Sequence, residues 1–289
     1  MIDTQILTSK AKVRIRRLGK ENTAPALMIH GLGGSGHEWS RLSKILANDL
    51  DCLAPDLPGF GKSDALTTGD FSPKIYAQVL AEVVKSQFGE KQVHLFGNSH
   101  GGSVALHFAH QFPELTKSIT FISPGLPDLL PRLSAAPVII AAIPGVGEKM
   151  MEKFLSLPLA EQAKATIKQN FADRKYGEQM WLKEILSQIE LRIDVKKVEV
   201  NILATLRALL ATYFDLSASN PWNLAKSINK PSLFIYGAKD KLVHPRAAKK
   251  VTRYFSDAKV LLLPQGGHVS HIEHPELVRE AFLKHLFPN

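Results

Sequence analysis

In "HLFGNSHGGSV" (residues 94–104) an apolar run stops at Gly97 and a single serine stands between glycines. Gly97-Asn98-Ser99-His100-Gly101 fits G-x-S-x-G, the pattern in which a nucleophile rides a sharp turn from a strand into a helix. Such a reversal crowds the backbone. Glycine at 97 and 101 removes side chains that would clash, and Gly102, Ser103 and Ala105 let the next helix approach a sheet closely. A serine hydroxyl is a poor nucleophile at neutral pH and needs a base to take its proton. The chemistry expected of Ser99 is therefore attack on an electrophilic carbon, with a histidine as base and a carboxylate steadying that histidine.

The chain has 11 histidines, so position must select among them. His268, in "LLLPQGGHVSHIEHPE", follows the last apolar strand-like run. Gly266 and Gly267 before it let the loop bend back over a sheet. His271 competes from the same loop, and His274 precedes Pro275 at an expected helix start. The expected acid is Asp240, just after the strand-like run in "LFIYGAKDKLV", with Asp128 in "SPGLPDLL" as the alternative one strand earlier. The order Ser99, Asp240, His268 is that of a G-x-S-x-G hydrolase.

A developing oxyanion is best met by backbone N–H groups fixed before reaction. One should come from His100. The other should come from Leu32 in the loop His30-Gly31-Leu32-Gly33-Gly34, with Gly33 as the near alternative. His30 is expected to shape this loop and Asp56 to form a turn in "APDLPGFG". Gly31, Gly33, Trp39, Met150, Phe154 and Trp181 are the expected substrate neighbours, with Phe214 a further candidate. For the bulky members of this set, ordinary packing is the competing reading. No metal-ligand cluster is visible, and the chemistry needs no metal or cofactor.

These residues need a frame. "KVRIRRL" alternates like an edge strand, while "ALMIH", "LDCLAP", "QVHLFG", "SITFIS", "PSLFIYG" and "KVLLLP" are short apolar runs closed by turn residues. They alternate with helical segments such as "FSPKIYAQVLAEVVKSQF", whose Ser72 and Pro73 suit a helix start. The alternation predicts an α/β fold with a mostly parallel sheet and helices on both faces. From 126 to 222 the strands stop and the pattern turns helical, as in Leu159, Ala163, Ile167 and Phe171 spaced four apart. Residues 1–125 and 223–289 are then the core, and 126–222 an inserted helical cap.

Bulk properties narrow the function. The 289 residues are 45% hydrophobic and 22% charged, an ordinary globular balance. The formal charge of +9 is scattered in short runs such as "KVRIRR" and "RAAKK", which argues against a nucleic-acid partner. The one cysteine, Cys52, sits in an apolar strand and reads as a buried thiol. "APVIIAAIPGVG" is too short to span a bilayer, and no signal peptide is visible. A cytoplasmic monomer or homodimer acting on a small ester molecule is the resulting expectation.

The sequence resembles the α/β-hydrolase superfamily over nearly its whole length. The resemblance rests on "HGLGGSG", "PDLPGFGKSD", "GNSHGG", "GAKD" and the Gly266–Pro275 stretch with Glu273, five motifs in order at strand ends. It implies an eight-stranded core with a helical cap inserted after the sixth strand. Relatives that use an elbow aspartate, the haloalkane dehalogenases and epoxide hydrolases, are excluded by Ser99. Carboxylic ester hydrolysis through an acyl-enzyme is the leading expectation. The alternative is carbon–carbon bond hydrolysis, since "GNSHGG" and the capped layout resemble meta-cleavage product hydrolases. Val269 and Tyr236 depart from that group, which shows an aromatic after the histidine and a tryptophan before the glycine near the acid. A non-enzymatic ligand receptor of the same fold is a third reading.

Overall fold

The computed structural model describes residues 2–20, 23–128, 132–190 and 195–287. Eight strands form one sheet: β1 (Ile2–Leu7), β2 (Lys12–Leu18), β3 (Ala24–Ile29), β4 (Leu50–Pro55), β5 (Val93–Asn98), β6 (Thr116–Ile122), β7 (Ser232–Gly237) and β8 (Ala258–Leu263). Their order across the sheet is β1-β2-β4-β3-β5-β6-β7-β8. Strand β2 runs antiparallel to both its neighbours, and every pair from β4 to β8 is parallel. Strands β4, β5 and β7 are buried along their whole length, as parallel strands covered on both faces must be.

The edge differs from expectation. "KVRIRRL" is an internal strand, because the exposed "IDTQIL" segment pairs along its free side as β1. Periodicity alone could not find β1, which buries almost nothing. Its Asp3 is held by the Arg14 guanidinium of β2.

Helices cover both faces. Pro73–Phe88 and His100–Gln111 pack one face, and Ser40–Leu46 with Pro275–Leu286 the other. Between β6 and β7 lie the helices Ala136–Ile140, Val146–Leu155, Leu159–Asn170, Arg174–Glu190 and Val195–Ala211. Of the spaced stripe in this insert, Ala163, Ile167 and Phe171 are buried, whereas Leu159 is 42% exposed. Ile167 and Phe171 pack on Val269 and Ile272, which flank the loop of His268. The insert therefore rests on that loop.

Helix Pro221–Ala225 follows, and its Trp222 and Ala225 lie in the core cluster on the His100–Gln111 face. The Trp222 indole N–H donates to the Pro127 carbonyl at 2.9 Å, closing the insert at its neck.

Candidate active site

Ser99 follows β5 and caps the helix His100–Gln111, with φ 51° and ψ −118°. That left-handed backbone disfavours any side chain, so the surrounding packing must enforce it. The glycines show how. A methyl at Gly97 would stand 2.5 Å from the Gly101 carbonyl oxygen, and one at Gly101 would stand 2.2 Å from that of Ile29. One at Gly102 would meet the Pro124 side chain at 2.7 Å. Gly101→Ala is expected to cost about 3 kcal/mol, because rigid backbone lies opposite. Thermal unfolding checks this; a melting point within about 1 °C of the parent would refute the packing argument.

His268 is buried, and its Nδ1 lies 3.0 and 3.2 Å from the two carboxylate oxygens of Asp240. Asp240 also accepts the backbone N–H groups of Leu242 (2.7 Å) and Val243 (3.0 Å) through Oδ1. Burial raises the Asp240 pKa, but the adjacent His268 ring and these bonds outweigh it and hold the carboxyl below its ordinary range. With Nδ1 committed to the carboxylate, Nε2 is left for proton transfer. Ser99 and His268 line the same cavity. The hydrogen bonds of His268's ring among the described residues run to Asp240, and the Ser99–imidazole contact is one that tightens in a substrate complex.

The loop after β3 lies against the nucleophile: a methyl at Gly31 would be 3.4 Å from the Ser99 Cβ. His30 organises it. Its Nε2 accepts the Leu57 N–H at 2.8 Å, so Nδ1 carries the proton and donates to the Gly31 carbonyl at 2.7 Å. Gly33 has φ +75°, which glycine adopts without strain. The N–H groups of Leu32 and His100 form no hydrogen bond with the protein among the described residues. Both are thus free for an oxyanion, and that of His100 begins a helix, where the dipole favours negative charge. Asp56 forms its turn by accepting the N–H groups of Gly36 (2.8 Å) and Lys62 (2.9 Å), balanced by Arg14 and Arg16.

The cavity holds about 570 Å³. The insert supplies much of its apolar wall, including Val138, Phe171, Trp181, Leu209 and Phe214. Gly31, Leu32 and Gly33 also line it, but three expected neighbours do not. Trp39 is fully buried in the opposite core, stacked on His271 with ring centroids 4.2 Å apart. Met150 and Phe154 sit on the helix Val146–Leu155, which packs on Val195–Ala211, and neither lines the cavity. A large apolar side chain satisfies either setting, so residue type cannot separate cavity wall from core.

The competing titratable groups have other places. His271 is buried behind Trp39, where desolvation and the nearby His268 push its pKa down to about 3, leaving a neutral ring. Asp128 reaches the cavity but is paired with Arg246 at 3.2 Å. Three polar residues went unselected at the sequence level. Asn98 donates from Nδ2 to the carbonyls of Ile122 (3.0 Å) and His268 (2.9 Å), tying the elbow to the histidine loop. Glu273 accepts the N–H groups of Gly267 and Ala172, both at 2.7 Å, joining that loop to the insert. Glu38 lines the cavity beside Gly34. Asn98 and Glu273 lie inside quoted motifs, which was the available signal.

The model of the alpha/beta hydrolase fold matches residues 25–275. Among curated proteins, this chain is similar to Lipase 1 of Psychrobacter immobilis, 24% identical over 94% of this chain and 80% of that protein. It is also similar to the 2-hydroxy-6-oxo-6-phenylhexa-2,4-dienoate hydrolase of Burkholderia cepacia, 25% identical over 90% of this chain and 86% of that one. Among solved structures, a putative lipase from Acinetobacter baumannii AYE superposes with a TM-score of 0.76 at 22% identity, covering 98% of this chain and 90% of that chain. The dienoate hydrolase of Rhodococcus sp. strain RHA1 gives 0.78 at 18% identity, covering 98% of each.

Proposed function

This chain belongs to the alpha/beta hydrolase fold family, and from that premise we propose that it is a serine hydrolase cleaving carboxylic esters with an apolar acyl group. The observation that carries the reading is a strained Ser99 facing one cavity with a His268 ring whose other nitrogen is held by Asp240.

Ser99 Oγ attacks the ester carbonyl while His268 Nε2 takes its proton. The carbonyl oxygen becomes an oxyanion received by the Leu32 and His100 N–H groups. His268 then protonates the leaving alcohol, and an acyl-enzyme remains. Water, deprotonated by His268, attacks the acyl carbon; collapse releases the acid and restores Ser99. Asp240 keeps Nδ1 protonated and stabilises the imidazolium.

The insert acts in this reading as a cap that walls the acyl site. Burying each added methylene in such a wall is worth about 0.8 kcal/mol, roughly fourfold in kcat/KM. A p-nitrophenyl ester series should therefore rise from acetate to about hexanoate or octanoate and then fall as the cavity fills. A series that declines steadily from acetate would sink the apolar acyl site. No turnover, together with no labelling of Ser99 by a fluorophosphonate, would sink the serine hydrolase reading.

Carbon–carbon hydrolysis is the second reading, favoured by the likeness to dienoate hydrolases. Turnover of a vinylogous diketone carboxylate, exceeding that of every ester, would establish it.

A further inference from the structure

Dienoate-type substrates carry a carboxylate, whereas simple lipid and fatty esters do not. The ionisable residues on the cavity wall bear on that difference. Among the described lining residues these are Glu38, Asp128, Tyr213, His244 and His268, with no lysine or arginine. Asp128 is taken by Arg246, and His268 by Asp240. His244 Nδ1 accepts the Arg246 N–H at 3.1 Å. Burial, with Arg132 and Arg246 nearby, keeps the His244 ring below its ordinary pKa. Lys241, the next nearest cation in sequence, donates to the carbonyls of Lys168 and Phe171. Among the described residues, then, no lysine or arginine lines this wall.

Glu38 stands at the reacting end. Its carboxyl lies over Gly34, where a methyl would be 2.2 and 2.9 Å from the two oxygens, in the same loop as Leu32. We propose that the cavity accepts uncharged acyl chains and rejects anionic ones, because its described wall carries no lysine or arginine, and that Glu38, beside the oxyanion loop, sets the alkaline limit of turnover. The proposal rests on the ester hydrolase reading and names its substrate class.

The physics is one of unpaired charge. A carboxylate drawn against these described residues sheds its water and meets no lysine or arginine among them, a heavy penalty. Glu38 itself obeys the same rule. Burial and the neighbouring Asp56 push its pKa up to about 8, against a smaller pull from the Gly31 and Ser35 amides. The groups around it are Asp56 with its partners Arg14 and Arg16 on β2, and His37. Glu184 of the helix Arg174–Glu190 interacts with His37. From the same helix, Gln188 accepts the Ser35 hydroxyl at 2.7 Å. With its pKa raised to about 8, the acid holds its proton at neutral pH and tolerates an oxyanion nearby. Above that pKa, the carboxylate adds a second negative charge beside the one forming on the substrate, and the rate falls.

The test compares p-nitrophenyl heptanoate with its near-isosteric anion, the mono-p-nitrophenyl ester of adipic acid. At about pH 7 the neutral ester should lead in kcat/KM by about 100-fold or more. Wild-type turnover of heptanoate should fall at least about fivefold between about pH 7 and about pH 9.5. Glu38→Gln, which cannot ionise, should remove most of that fall. Glu38→Lys should raise the adipate-to-heptanoate ratio at least about tenfold. Adipate within about threefold of heptanoate, or an unchanged alkaline limb in Glu38→Gln, would overturn the inference while the fluorophosphonate label on Ser99 keeps the ester reading standing. Absence of both label and turnover overturns the two together.

Discussion

Ser99→Ala is expected to lower ester turnover by about 10⁵-fold or more while leaving the fold intact. The oxyanion N–H groups and the cavity survive the substitution, so the residue left behind binds substrate but has no atom to form the acyl-enzyme. Ser99→Gly should be equally inactive and also more stable than the parent. The φ of 51° costs a side chain about 1–2 kcal/mol, and glycine releases that strain. A rise of a few degrees in melting point for the glycine variant, beside no rise for alanine, would show that the enzyme carries strain at its nucleophile. Retention of more than about a tenth of parental activity by either variant would refute nucleophilic catalysis at this position.

Asp240→Asn is the second large effect, expected at about 10⁴-fold in kcat. The reason lies in the bonds around the carboxylate. Oδ1 accepts from Leu242 and Val243, so an asparagine keeps its carbonyl oxygen there and turns its NH₂ toward His268. Nδ1 must then accept, the ring proton moves to Nε2, and the nitrogen facing Ser99 can no longer act as a base. Asp128→Asn is the control. It loosens the pair with Arg246 and should cost less than about tenfold. Kinetics of the two variants side by side decide the acid: equal damage, or greater damage at 128, would reject Asp240.

The features legible in the sequence are those written into local backbone geometry. Glycines at 97, 101 and 102 announce a turn that no other residue fits, and the clashes a methyl would meet there give the reason. The His30–Gly34 loop, the alternation of strand and helix, and the helical stretch after β6 are likewise local, each set by spacing or by φ. Strand β1 escaped because it gains its place only by pairing with β2, with little burial to mark it.

Which side chains meet is a different matter, since partners such as Ser35 and Gln188 lie 153 residues apart. Composition marked Trp39, Met150 and Phe154 as cavity neighbours because an apolar group prefers any dry surface. Only packing sent Trp39 to stack on His271, and put Leu209 on the wall beside the expected Trp181. Nothing in the sequence singled out Glu38, and folding placed it on the cavity wall. Spacing along the chain thus dictated the corners, through steric limits on single residues; charge states and contacts arose only when distant segments excluded water from between them.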